Sequence, residues 1–295
     1  MKLKIGFLAL LFAFLSCKSQ SNLKAEKVLQ IVLLSGQSNM VGHGNYDELS
    51  TNLKERIQKV SDRVFVSTSG EPPKPLSLIK GNKSDKYNFS KHFGPELFIG
   101  LTLAEKYPKQ EFLLIKKAVG GTSLYGAWNV NWTSEKALIS ERGKTRQNLQ
   151  LFAAHINNIR NHLKRLDSEG KKYKILGVTW LQGEGDTNKE TTATNYKVNL
   201  KDLVSAYRKE LSIKELPFII GQINALPRKY KKGPAQVRAA MLAVADADKN
   251  IGIIKTKADK PWSDFPKYSD NLHYNTEGQK RFGIAFAEEL MKLSK

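Results

Sequence analysis

Near-continuous apolar runs alternate along this chain with stretches in which apolar residues recur every three to four positions. The runs fall at residues 28–34, 63–66, 111–116, 175–181, 217–223 and 251–254. Most lack in–out alternation, which predicts strands covered on both faces, as in a parallel sheet. Between them the helical period covers 95–106, about 146–167, about 195–211, 233–247 and 276–293. Pro95 suits a first helical position, and Thr276 followed by Glu277 reads as an N-cap opening the last helix. Strand and helix in alternation predict an α/β fold of three layers with right-handed crossovers. Two longer irregular segments, 44–91 and 120–144, are expected at the carboxyl ends of the strands, where open parallel sheets bind ligands.

The first residues do not fit this pattern. Lys2 and Lys4 precede an apolar run at 5–15, then Ser16, Cys17 and a polar stretch. A short basic start and an apolar core too short to span a membrane describe a secretory signal over residues 1–17. Cys17 resembles the lipidated cysteine of bacterial lipoproteins, although Phe14 and Leu15 depart from that motif; the alternative is ordinary cleavage after Cys17. Either outcome exports the protein, as an envelope lipoprotein or in secreted form. Residues 18–26 then form a short tether, and 27–295 a single domain.

Composition narrows the chemistry. Of 295 residues, 40% are hydrophobic and one is cysteine, so a core is affordable but neither a disulfide framework nor a cysteine-built metal site is. The five histidines show no HxH or HxxxH spacing, and no metal or cofactor is expected. Net charge is +20, about +18 without Lys2 and Lys4. The lysines are spread along the chain, with one modest cluster at 228–232 and no nucleic-acid-reading motif beside it. A solvated basic face, or an anionic glycan as partner, accounts for the charge better than nucleic acid.

Chemistry gathers at strand ends. The first run leads into Ser35-Gly36-Gln37-Ser38-Asn39-Met40, which puts a serine at the rim of the sheet. If a helical turn starts there, the Ser38 N–H is free for an oxyanion. Position 40 is Met, so there is no Gly-x-Ser-x-Gly elbow, which counts against the α/β-hydrolase fold. Asp270-Asn271-Leu272-His273 lies just before the last helix; His273 is placed to take the Ser38 proton and Asp270 to orient its ring. Gly120 and Gly121 follow the third run and Gln182 the fourth, offering N–H donors at the same rim. His43 is the rival base and a candidate substrate contact, together with Gln37, Asn39, Trp128 and Trp262; Trp132 lies in the same insertions. Glu184 and Asp186 read as loop braces, and His92, His155 and His162 as residues without partners.

Together these stretches resemble the SGNH hydrolase superfamily, in its sialate O-acetylesterase and acetylxylan esterase branch, from about residue 28 to 293. The marks are Gly-Gln-Ser-Asn-Met at 36–40, Gly-Pro-Glu at 94–96, Gly-Gly-Thr-Ser at 120–123, Trp-Leu-Gln-Gly-Glu-Gly-Asp at 180–186 and Asp-Asn-Leu-His-Tyr-Asn at 270–275. Leu181 stands where many members of the branch carry His. The resemblance implies a flavodoxin-like αβα sandwich on a mainly parallel, five-stranded sheet. It also implies Ser38 as nucleophile, His273 as base, Asp270 as its orienting carboxylate, and Ser38, Gly120 or Gly121 and Gln182 around the oxyanion. The expected activity is serine-esterase removal of O-acetyl groups from an oligo- or polysaccharide. A lipase or thioesterase of longer acyl chains and a non-catalytic glycan-binding lipoprotein are the alternatives. The expected cleft is open, walled by Trp128, Trp132 or Trp262 and by lysines.

Overall fold

The computed structural model describes residues 28–83 and 87–294. The signal and tether expectations, Cys17 included, lie outside the described residues. In chain order the strands are β1 (Leu29–Gly36), β2 (Gly44–Asn45), β3 (Val64–Thr68), β4 (Lys74–Pro75), β5 (Ile79–Lys80), β6 (Lys91–Phe93), β7 (Phe112–Ala118), β8 (Tyr173–Leu181), β9 (Phe218–Gly221) and β10 (Ile251–Ile254). The helices are α1 (Ser38–Val41), α2 (Thr51–Val60), α3 (Pro95–Lys106), α4 (Ser134–Ser140), α5 (Gly143–Gln147), α6 (Leu151–Ser168), α7 (Glu190–Thr194), α8 (Tyr196–Glu210), α9 (Gly233–Ala245) and α10 (Thr276–Leu293).

The main sheet runs β10-β9-β8-β1-β7-β3-β4. Every pairing from β10 to β3 is parallel, and β4 joins the edge antiparallel through Phe65 and Val66. The sheet therefore has seven strands rather than five, because all six apolar runs pair and a short return strand extends the edge. Successive residues of β1 belong to different cores. Ile31 and Leu33 pack with α6, α8 and α9 on one face, while Val32 and Leu34 pack with α2, α3 and α10 on the other. Burial on both faces is why these strands read as unbroken apolar runs.

Differences from expectation fall in the insertions and at helix ends. The 44–91 segment contains α2, capped by the Ser50 hydroxyl, and a three-stranded antiparallel sheet ordered β2-β6-β5. The helix expected from about 146 is two helices, α5 and α6. The cap of α10 is Asn275, whose side chain accepts from Gly278 N–H; the Thr276 hydroxyl accepts from Asn45 N–H instead. No described helix is long and apolar enough to cross a membrane.

Candidate active site

β1 is central, flanked by β7 and β8, and the chain crosses from one side of it to the other between them. The carboxyl ends of these three strands form the rim of a cleft of about 570 Å³. At Gly36 a side chain would meet the Leu181 carbonyl oxygen at 2.2 Å, so only glycine lets β1 finish against β8. The chain then turns directly into α1, whose first residue is Ser38. A first-turn N–H has no intrahelical acceptor, and the Ser38 N–H makes no backbone hydrogen bond among the described residues.

Across the cleft, the loop before α10 supplies the other two groups. His273 Nε2 lies 3.0 Å from Ser38 Oγ, and His273 Nδ1 lies 2.6 Å from Asp270 Oδ2. The other Asp270 oxygen accepts from the Leu272 and His273 N–H groups at 2.9 and 3.0 Å. The carboxylate thus fixes both the imidazole and the backbone carrying it. Asn271 enables this tight loop by adopting φ 54°, a left-handed conformation asparagine tolerates. This is the hydrogen-bond order by which a hydroxyl becomes a nucleophile: hydroxyl, imidazole, carboxylate.

Gly120 faces Ser38, with a Cβ there falling 3.5 Å from the Ser38 Cβ. Its carbonyl accepts from Arg146 Nε at 3.0 Å. The peptide is trans, so the Gly121 N–H points away from the guanidinium. Gly121 itself holds φ 73°, where a side chain is strained. Beyond it, the 123–127 turn is pinned by two buried carboxylates. Glu141 Oε1 accepts from Ser123 and Ala127 N–H at 2.9 and 3.0 Å, and Asp186 from Leu124 and Tyr125 N–H at 2.8 and 3.0 Å. Burial, the largest influence on Asp186, pushes its pKa up to about 7.

Gln182 does not join the reactive groups. It is fully buried, and its amide donates to Thr122 O at 3.1 Å and to Asp186 Oδ2 at 2.6 Å, leaving no N–H for an oxyanion. Three of the five expected substrate contacts are also placed elsewhere. Trp128 is fully buried, edge-on to Trp180 at 5.2 Å, because its loop folds back over the core. Trp262 is 4% exposed, donates to Asn271 Oδ1 and is capped by the Lys267 ammonium at 4.3 Å. Asn39 is fully buried behind Ser38. Gln37 borders the cleft, but its amide nitrogen is engaged by Glu184 at 2.7 Å.

His43 does border the cleft. Its ring stacks on Tyr87 at 4.6 Å and meets His273 edge-on at 4.7 Å. The cleft is also bordered by five cations, Arg142, Arg146, Lys189, Arg228 and Lys229, against the two carboxylates Glu141 and Glu184. Arg142 and Arg146 carried no local signal beyond charge, since only the fold of the 120–144 insertion and α5 brings them to the rim. The remaining histidines have partners after all. His155 bonds Tyr207 Oη and His162 bonds Ser67 Oγ, at 2.7 and 2.8 Å, and His92 packs on Phe89. Burial drives the His155 pKa down to about 3, which keeps it neutral.

The profile of a family described as carbohydrate esterase, sialic acid-specific acetylesterase, matches residues 28–292. The chain belongs to this family. Membership in these carbohydrate esterases agrees with the resemblance drawn from the motifs. A probable carbohydrate esterase of Arabidopsis thaliana is 30% identical over 115 residues, covering 39% of this chain and 40% of that protein. The chain thus aligns with about two fifths of that curated relative's length. An Arabidopsis protein of known structure superposes with a TM-score of 0.64 at 20% identity, over 89% of this chain and 98% of its own. NanS gives 0.59 at 14%, over 90% and 98%. A carbohydrate acetylesterase from Xanthomonas citri gives 0.56 at 16%, over 90% and 56%. At these identities the superpositions establish a shared fold.

Proposed function

We propose that this carbohydrate esterase is an exported serine acetylesterase that removes O-acetyl groups from an anionic sugar. The observation that carries the reading is the chain Ser38 Oγ–His273 Nε2 and His273 Nδ1–Asp270 Oδ2, at 3.0 and 2.6 Å, opening onto a polar cleft. Ser38 Oγ attacks the acetyl carbonyl as its proton passes to His273 Nε2. The imidazolium then protonates the departing sugar oxygen, leaving acetyl-Ser38 and the free hydroxyl. A water, deprotonated by His273, attacks the acetyl group, and acetate leaves as Ser38 regains its proton. Two backbone donors, the Ser38 N–H and a Gly120 or Gly121 N–H, face the developing oxyanion. Gln182 has no part in this step.

The excess of cations around the cleft supports an acidic sugar as substrate, as does the family's description as sialic acid-specific. Burying an acetyl methyl yields only about 0.8 kcal/mol, so discrimination must come from the sugar. Arginine and lysine recognise a carboxylate by charge-assisted hydrogen bonds. Export rests on the basic and apolar pattern of residues 1–17. Acetate release from an O-acetylated sialic acid and from acetylated xylo-oligosaccharide, each over a salt series, tests the reading. The anionic substrate should be faster by about tenfold or more at low salt, with the advantage shrinking as salt rises. Equal rates at every ionic strength would remove the anionic preference. Faster turnover of 4-nitrophenyl octanoate than of the acetate would favour a lipase.

A further inference from the structure

The Ser38–His273 hydrogen bond joins residues 235 positions apart, one opening α1 and the other on the loop before α10. Two bracketing sets of hydrogen bonds tie those segments together. Glu184, 1% exposed, accepts from Gln37 Nε2 through one carboxylate oxygen and from Asn39 Nδ2 through the other, both at 2.7 Å. Its two partners are the residues immediately before and after Ser38. Asn39 in turn donates to Leu272 O at 3.2 Å and accepts from Tyr274 N–H at 3.1 Å, the residues immediately before and after His273. Its own carbonyl accepts from Gln279 Nε2 on α10 at 3.2 Å.

We propose that Glu184 and Asn39 are positioning residues for the Ser38–His273 pair, Glu184 bracketing the serine and Asn39 the histidine. The proposal rests on the reading of those two residues as nucleophile and base. The donor–acceptor logic makes the pair a unit. A carboxylate only accepts, so Asn39 must turn its NH₂ toward Glu184, and this leaves Oδ1 facing the Tyr274 N–H. Rotating the Asn39 amide would set NH₂ against N–H and release the His273 loop. Neither bracket touches the reacting atoms, and the two Glu184 bonds and the Asn39–Tyr274 bond are buried. An ångström of slack between nucleophile and base is costly in rate. The brackets therefore act on turnover and leave substrate binding alone.

The test uses 4-nitrophenyl acetate, which is neutral, with the wild-type protein, Ser38→Ala, Asn39→Asp, Glu184→Asp and the double variant Asn39→Asp/Glu184→Gln. Asn39→Asp sets two carboxylates face to face and should lower kcat about a hundredfold or more, with KM within about twofold. The double variant reverses donor and acceptor along the same bond and should recover at least about tenfold of that loss. A double variant no faster than Asn39→Asp, or Asn39→Asp as active as wild type, would overturn the proposal. Should Asn39→Asp not fold, Glu184→Asp decides. It keeps the charge but is one methylene too short to reach both amides, so kcat should fall about tenfold at unchanged KM. Wild-type kcat there overturns the bracket. An inactive wild type, or an active Ser38→Ala, would instead remove the esterase reading itself.

Discussion

Two sets of polar groups meet at the ends of β1, β7 and β8, and their surroundings differ in one respect. Ser38, His273 and Asp270 hydrogen-bond in series, and the series opens onto the cleft. Glu141 and Glu184 border the same cleft and Asp186 lies two residues on from Glu184, yet each is at most 5% exposed and accepts from two or more amide N–H groups. Both sets contain carboxylates, so residue type does not separate them. Partners do. A carboxylate enclosed by amide donors holds its partners in place, whereas one that gives an oxygen to the imidazole bordering the cleft orients a base. Proximity to the nucleophile is therefore a poor guide to chemical role at this rim.

His273→Ala removes the proton acceptor and should lower kcat by about 10³ or more, while Asp270→Asn, which keeps the ring but not its orienting charge, should be clearly impaired but less so than His273→Ala. Substitution of Asp186, which holds the 123–127 turn and not the residues beside Ser38, should register mainly in stability. Asp186→Ala strands the Leu124 and Tyr125 N–H groups and the Gln182 amide, at about 1–3 kcal/mol for each buried donor left unpaired. Thermal melts should show a large drop, while kcat per folded molecule changes less than about tenfold. If Asp186→Ala instead loses activity as His273→Ala does while keeping its melting temperature, the two sets are not distinct.

The enclosed set also carries a pH signature. Asp186 has a folded pKa near 7 against an ordinary 3.8, so across that window the native state holds a proton the unfolded chain has released. Its contribution to stability is complete below the unfolded value and is lost as pH rises toward 7. Melting temperatures of wild type and Asp186→Asn at pH 4, 5.5 and 7 should therefore diverge in slope, the variant lacking this decline. On the cleft walls, Arg142→Ala should raise KM several-fold for an acidic acetylated sugar and leave 4-nitrophenyl acetate unaffected. His43→Ala should have the smallest effect, under about tenfold, because its ring contacts the His273 edge without bonding Ser38.

The sheet was legible because burial on both faces leaves unbroken apolar runs, and this property is local. Ser38 and the Asp270–His273 pair were legible because each sits just past a strand or just before a helix, where the fold class puts reachable groups. The failures share a cause. Whether Trp128 faces a sugar or the core, and whether the Gln182 amide is free, depends on partners distant in sequence, Trp180 and Thr122, and Trp262 is turned inward by an irregular loop whose fold no hydrophobic period announces. The same holds for Arg142 and Arg146, which no spacing distinguishes from other basic residues of a chain with 48 of them. The β4 edge strand and the β2-β6-β5 sheet were missed because strands two or three residues long have no hydrophobic period.

Ser38 should form and lose an acetyl ester during sugar deacetylation. The most direct test is acetate release by wild type and Ser38→Ala from whichever acetylated glycan turns over fastest, with melting temperatures measured on the same preparations. Ser38→Ala should lose about 10³ or more at an unchanged melting temperature, since Ser38 stands at the rim and not in the core. A folded Ser38→Ala protein that keeps a tenth of the wild-type rate would contradict it.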